Sequence, residues 1–178
     1  MKIGIDISQI AYQNTGVAAY VRRLTEYLIS LDKKNDYILF FSSFRRNMKN
    51  EISKIKNTNK KVKIKTFRLP PLLLDFIWNR LHILPIEWFI GDVDIFISSD
   101  WTEPPAINAK KATILYDLIV YKYPKETDSK IIATQKRKLN WVKKECDIVF
   151  CISESTKKDA MEILGIEEKK LRVIYPGI

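Results

Sequence analysis

Histidine is nearly absent from this chain. Of 178 residues only His82 carries an imidazole. It lies away from every candidate loop edge and reads as a surface residue. A Ser-His-Asp arrangement and a histidine metal cage are both excluded. Cysteine is scarce as well. Cys146 and Cys151 have neither metal-ligand spacing nor a histidine partner, so they read as reduced, largely buried thiols of a cytosolic protein. No uninterrupted apolar stretch reaches the roughly 18 residues that a membrane span needs. The start, Met1 to Asp6, reads as a strand and not as a signal peptide, because Asp6 interrupts it and no cleavage site follows. Asp92-Val93-Asp94 has the form of an Asp-x-Asp metal motif. It stands where a strand begins, whereas such a motif sits where a strand ends. No metal and no cofactor is therefore expected. Acids are missing from one region in particular. Between Arg45 and Arg68, ten basic residues face one acid, Glu51, in a chain of net charge +10. Such a patch favours an anionic partner, for which a phospholipid surface is one candidate. A solvated lysine-rich surface explains it equally well. Aromatics are not interleaved with the charges as in a stacking platform, so nucleic acid is not expected.

What is present is an alternation of strands and helices from end to end. The strands expected are Lys2–Ile7, Tyr37–Phe41, Val62–Phe67, Val93–Ser98, Ala112–Tyr116, Asp147–Cys151 and Leu171–Tyr175. Between them lie a helix over Val17–Leu31, a basic helix over Arg45–Lys56, and one or two helices around Pro85 in the stretch Pro70–Ile90. A further helix covers Ser129–Lys144. The last begins near Glu154, capped by Ser153 and closed by Gly165. Seven strands with intervening helices argue for a Rossmann-like, doubly wound and mostly parallel α/β sheet in one domain, residues 1–178. The segment around Phe76, Ile77, Trp78 and Leu81 reads first as a core helix, with docking on a membrane as the alternative.

Ligands of open α/β sheets bind beyond the carboxyl ends of the strands. Four loops lie there. The first runs from Ser8 to Tyr20 and starts a helix near Gly16, where free N–H groups suit a phosphate. It lacks G-x-G-x-x-G, so a nicotinamide site is unsupported. The second, Ser98-Ser99-Asp100-Trp101-Thr102-Glu103-Pro104-Pro105, has carboxylates to accept sugar hydroxyls and an indole to stack on a pyranose. A Pro-stiffened turn explains it equally well. The third is Tyr116-Asp117-Leu118, and the fourth is Ser153-Glu154.

Taken in order, these motifs resemble those of the N-terminal domain of family 4 glycosyltransferases, which are retaining enzymes of GT-B fold. The ending CISESTKKDAMEILGI…LRVIYPGI is similar to the stretch that leads into that family's second domain. Gly16 and Tyr20 match the family's Gly-x-Gly-x-Tyr-like loop, with Ala18 where the second glycine stands. Ser98 to Pro105 is similar to its "S…PP" loop. Tyr116-Asp117-Leu118 resembles its His-Asp-Leu, with Tyr116 in place of the histidine. Ser153-Glu154 matches its "SE". The resemblance implies transfer of a sugar from a nucleotide-sugar donor to a glycan or lipid-linked acceptor. It implies catalytic positions at Tyr116 and Asp117, and substrate contacts at Gly16, Val17, Tyr20, Asp100, Trp101, Ser153 and Glu154. A tyrosine has a pKa near ~10 and is a poor base at neutral pH, so a histidine-dependent role is in doubt. The donor-binding half is expected outside these residues, which leaves this part inactive alone. The expected location is cytoplasmic, with a peripheral hold on the inner face of the membrane as an option. A non-enzymatic Rossmann-like binding domain that uses the basic patch for an anionic surface or nucleic acid is the rival reading.

Overall fold

The computed structural model describes residues 1–44 and 61–176. The expected basic helix Arg45–Lys56 lies outside them. Seven strands form one sheet: β1 (Lys2–Asp6), β2 (Asp36–Ser42), β3 (Val62–Phe67), β4 (Ile95–Ser98), β5 (Lys110–Leu115), β6 (Ile148–Cys151) and β7 (Leu171–Val173). Their order is β3-β2-β1-β4-β5-β6-β7, and every adjacent pair is parallel. The sheet is thus wound outward in both directions from a switch point between β1 and β4. The loops after these two strands run in opposite directions from that point, where ligands of open α/β sheets bind.

Strand periodicity divides the core. Tyr37, Leu39 and Phe41 of β2 join Ile5 and Ile114 on one face, beneath α1 (Gly16–Leu31), which contributes Val21 and Ile29. Ile38 and Phe40 point the other way and pack with Trp78, Ile86, Ile90 and Phe96. The same second face, beyond β5, holds Leu115 and Val149 under α5 (Ser129–Glu145) and α6 (Glu154–Leu164). Gly4 of β1 has a steric reason. A Cβ there would stand 2.8 Å from the Phe96 ring and 2.9 Å from Ile90.

The Pro70–Ile90 stretch forms two pieces around Pro85, as expected, but the first is not a plain helix. α2 (Pro71–Leu74) runs into a π-helical segment, Asp75–Leu81, and then breaks at His82 and Leu84, both with positive φ. α3 (Glu87–Ile90) follows, and a short α4 (Ile119–Lys122) comes after β5. Trp78 is fully buried, while Leu72 and Phe76 are exposed, so the segment is a core element with one bare flank.

His82 corrects its surface reading. Its ring stacks on Trp141 at a centroid distance of 3.5 Å, and Nε2 lies 2.8 Å from Glu145 Oε1. Sequence distance hid this contact, because Glu145 sits 63 residues away. Both cysteines are free and buried. Among the described residues no helix is long and apolar enough to cross a membrane.

Candidate functional site

At the switch point stand the residues that end or follow β1, β4 and β5. Asp6 closes β1. Its Oδ1 accepts the Ser8 N–H at 2.8 Å, and the Ser8 hydroxyl in turn accepts the Ser42 N–H at 3.0 Å. This turn holds the carboxylate in place at the edge of the sheet. Burial pushes the Asp6 carboxyl up to about 6, more than its Ser8 hydrogen bonds lower it.

Across the switch point, Ser98 ends β4 and Ser99-Asp100 follow. Asp100 is partly buried, and desolvation raises its pKa. Its backbone carbonyl accepts Gln135 Nε2 at 3.2 Å. Ser99 is fully buried. Trp101 is partly buried, and its carbonyl accepts Asn79 Nδ2 at 2.9 Å.

Tyr116 follows β5 and lies buried beside this loop. Tyr20 of α1 meets its ring edge-on, with centroids 5.6 Å apart. Burial, with the nearby Asp100 carboxylate second, drives the Tyr116 phenol far above its ordinary range. It therefore remains a neutral hydroxyl at any physiological pH and cannot act as a base. The Ser99 and Tyr116 hydroxyls approach one another, yet neither makes a hydrogen bond. Asp117 is exposed at the mouth, and its Oδ1 accepts the Ile119 N–H at 3.0 Å. The carboxylate thus anchors its own loop while remaining open to solvent.

The other expected positions divide. Gly16 starts α1, which Thr15 caps by accepting the Ala18 N–H at 3.2 Å. A Cβ at Gly16 would meet nothing within 4 Å, so packing does not explain the glycine. Gly16, Tyr20, Arg23, Ile174, Tyr175 and Pro176 line a 250 Å³ cavity. Tyr20 Oη donates to the Ile174 carbonyl at 3.4 Å, which ties α1 to the segment after β7. Val17, by contrast, is packed against the core beneath α1. Ser153 caps α6 by accepting the Thr156 N–H at 3.1 Å, and Thr156 Oγ1 donates to the Tyr116 carbonyl at 3.1 Å. The cap therefore also braces the β5 edge. Glu154 is exposed in the first turn. Tyr20, Asp100, Tyr116 and Asp117 come together; Val17 does not join them.

Two residues differ from the sequence reading. Glu103 belongs to the loop expected to meet a sugar, but it has no exposed surface. It pairs with Lys111 Nζ at 3.1 Å and accepts a hydrogen bond from Ser98. Asp6 had been read only as a break in an apolar start. The signal that marks it is a charged residue closing a buried parallel strand beside the switch point. Among the described residues, no group of three or more potential ligands could hold a metal ion.

Residues 14–178 match the family model Glycosyltransferase Family 4. The chain belongs to that family. Among solved structures it is similar to a glycosyltransferase from Rickettsia africae ESF-5, with a TM-score of 0.55 and 17% identity. The match covers 99% of this chain and 43% of that one, so the chain spans less than half the length of this relative. At that identity the likeness speaks for the fold. A short-chain dehydrogenase from Oenococcus oeni PSU-1 aligns at TM-score 0.43 and 11% identity, over 99% of this chain and 96% of that one. That score is too low to carry an argument. No curated protein matches the chain.

Proposed function

We propose that this family 4 domain is the acceptor side of a retaining glycosyltransferase. In this reading the enzyme moves a sugar from a nucleotide-sugar to a glycan or lipid-linked acceptor. The observation that carries the reading is the pair of buried, unpartnered hydroxyls of Tyr116 and Ser99 at the switch point. Buried polar atoms are nearly always paired, so this pair suits a ligand rich in hydroxyl groups. Gly16 and the start of α1 border the same edge and offer open backbone to a donor diphosphate. Tyr116 acts as a neutral hydrogen-bond partner and Asp117 shapes the mouth. In the transfer, the acceptor oxygen bonds to the anomeric carbon as the bond to the diphosphate breaks. The acceptor proton leaves on the diphosphate, because the phenol cannot take it. The diphosphate itself is held mainly by a second domain or subunit, and residues 1–178 alone are inactive.

The experiment is a nucleotide-sugar turnover assay on the isolated 178 residues, then with a donor-binding domain of the family added in trans. Turnover only in the second case is expected. Robust turnover by the 178 residues alone would overturn the reading.

The lipid-linked option draws on exposed Lys61, Lys63, Lys65 and Arg68, together with bare Leu72 and Phe76. Each basic group near an anionic bilayer contributes about 1 kcal/mol. Co-sedimentation with anionic vesicles that fades as salt rises is the expected result. Indifference to anionic vesicles at low salt would favour a soluble acceptor.

A further inference from the structure

The loop between β4 and β5, residues 99–109, contains no helix or strand and is held by side chains of other elements. Gln135 of α5 donates to the Asp100 carbonyl at 3.2 Å. At the far end, Glu87 of α3 accepts the N–H groups of Ile107, Asn108 and Ala109 through Oε1. Between these ties stands Asn79 of the π-helical segment. Its Nδ2 donates to the Trp101 carbonyl at 2.9 Å, and its Oδ1 accepts the Glu103 N–H at 3.0 Å. One side-chain amide thus satisfies an acceptor and a donor of the loop backbone two residues apart, groups that would otherwise need other partners.

The amide is itself fixed. Nδ2 also donates to Asp75 Oδ1 at 3.0 Å, and Arg137 holds Asp75 at 2.6 Å. Trp141 Nε1 donates to the Asn79 carbonyl at 2.9 Å. Asn79 is 2% exposed, so it acts through the loop and not on a ligand. The stretch it grips carries the Trp101 indole and adjoins Asp100, the two groups of this loop suited to a sugar. Stacking on a pyranose needs a ring plane set in advance, because ordering a loose loop on binding costs affinity. A binding group is only as well placed as the bonds behind it.

We propose that Asn79 is a positioning residue of the acceptor site, holding Trp101 and Asp100 in the orientation that receives a sugar. The inference rests on the acceptor-side reading and names the side chain on which that site depends.

The test compares two variants that loosen the same loop at different places. Asn79→Ala releases residues 101 and 103, and Glu87→Ala releases residues 107–109. The probes are the methyl glycosides of glucose, galactose and mannose, titrated by NMR into the 178-residue chain, with a melting curve on each variant to report folding. Both variants should melt below the parent. Asn79→Ala should bind the glycosides about ten-fold more weakly than the parent, and Glu87→Ala within about two-fold of it. Asn79→Ser keeps a hydroxyl on the same Cβ and carries the comparison where the alanine variant does not fold. In the parent, the Trp101 indole N–H signal, identified by its loss in Trp101→Phe, should move as glycoside binds. Equal weakening in the Asn79 and Glu87 variants, full binding by the Asn79 variant, or a Trp101 signal unmoved by bound glycoside overturns this inference and leaves the acceptor-side reading intact. Failure of every glycoside to bind the parent overturns both.

Discussion

Two buried polar layers lie within a few residues of each other, and they differ in one respect. Beneath α5, Glu103 binds Lys111 at 3.1 Å, Lys111 binds Glu145 at 2.7 Å, and Glu145 meets His82 at 2.8 Å. Lys138 donates to Thr113, whose hydroxyl in turn donates to Ser98. In this layer each charge has a partner. At the switch point, Asp6 and Asp100 are desolvated, and the Tyr116 and Ser99 hydroxyls approach one another without closing a hydrogen bond. Among the described residues, two other buried side-chain atoms lack partners, Glu87 Oε2 and Arg137 Nε. Their residues are bound elsewhere: Glu87 Oε1 accepts three backbone N–H groups, and Arg137 holds Asp75 at 2.6 Å. Tyr116 and Ser99 each have a single polar side-chain atom, so nothing compensates. A satisfied layer fixes the fold, whereas an unsatisfied one stores binding capacity.

The sharpest way to break this contrast is to remove a partner from the satisfied layer. Lys111→Met leaves Glu103 as an unpaired buried charge and should cost about 3–5 kcal/mol in urea unfolding. A loss under about 1 kcal/mol would mean that the layer is not structural.

A somewhat smaller effect, of opposite sign, is expected from Asp6. Its carboxyl rises from 3.8 to about 6 on folding. The folded state therefore holds this proton more tightly than the unfolded one. Between about pH 4 and 6 its contribution to stability falls as pH rises, and above that window burial of the charge costs about 3 kcal/mol. Asp6→Asn should raise stability near pH 7 and flatten the pH dependence across that window. A destabilised variant with an unchanged pH slope would show Asp6 to be an ordinary structural carboxylate.

The satisfied layer was hard to read in the sequence, while much of the framework was legible. β3 occupies Val62–Phe67 as expected, because its alternation is local. α6 runs Glu154–Leu164 between a Ser153 cap and Gly165 at φ 64°, and both signals are local too. The π-helical turn at Asp75–Leu81 and the His82–Trp141 stack depend on packing between distant segments. Glu103 and Lys111 are near in sequence, but their pairing becomes evident only once β4 and β5 lie side by side. For the site, the loops were legible as strand ends, and Tyr20, Asp100, Tyr116 and Asp117 do converge. Whether a loop residue faces outward or inward was not. Val17 and Glu103 turn inward because the pitch of a helix and a Pro-rich turn set their direction.

The smallest change in the protein gives the most direct test. Tyr116→Phe removes one oxygen that makes no hydrogen bond in the folded chain. Its unfolding free energy should therefore stay within about 0.5 kcal/mol of the parent, since no protein–protein hydrogen bond is lost. Glycoside binding measured on the same sample should fall about ten-fold. A variant destabilised by more than about 1 kcal/mol that binds glycosides as well as the parent would contradict the account. It would place the Tyr116 hydroxyl with the structural layer rather than with the site.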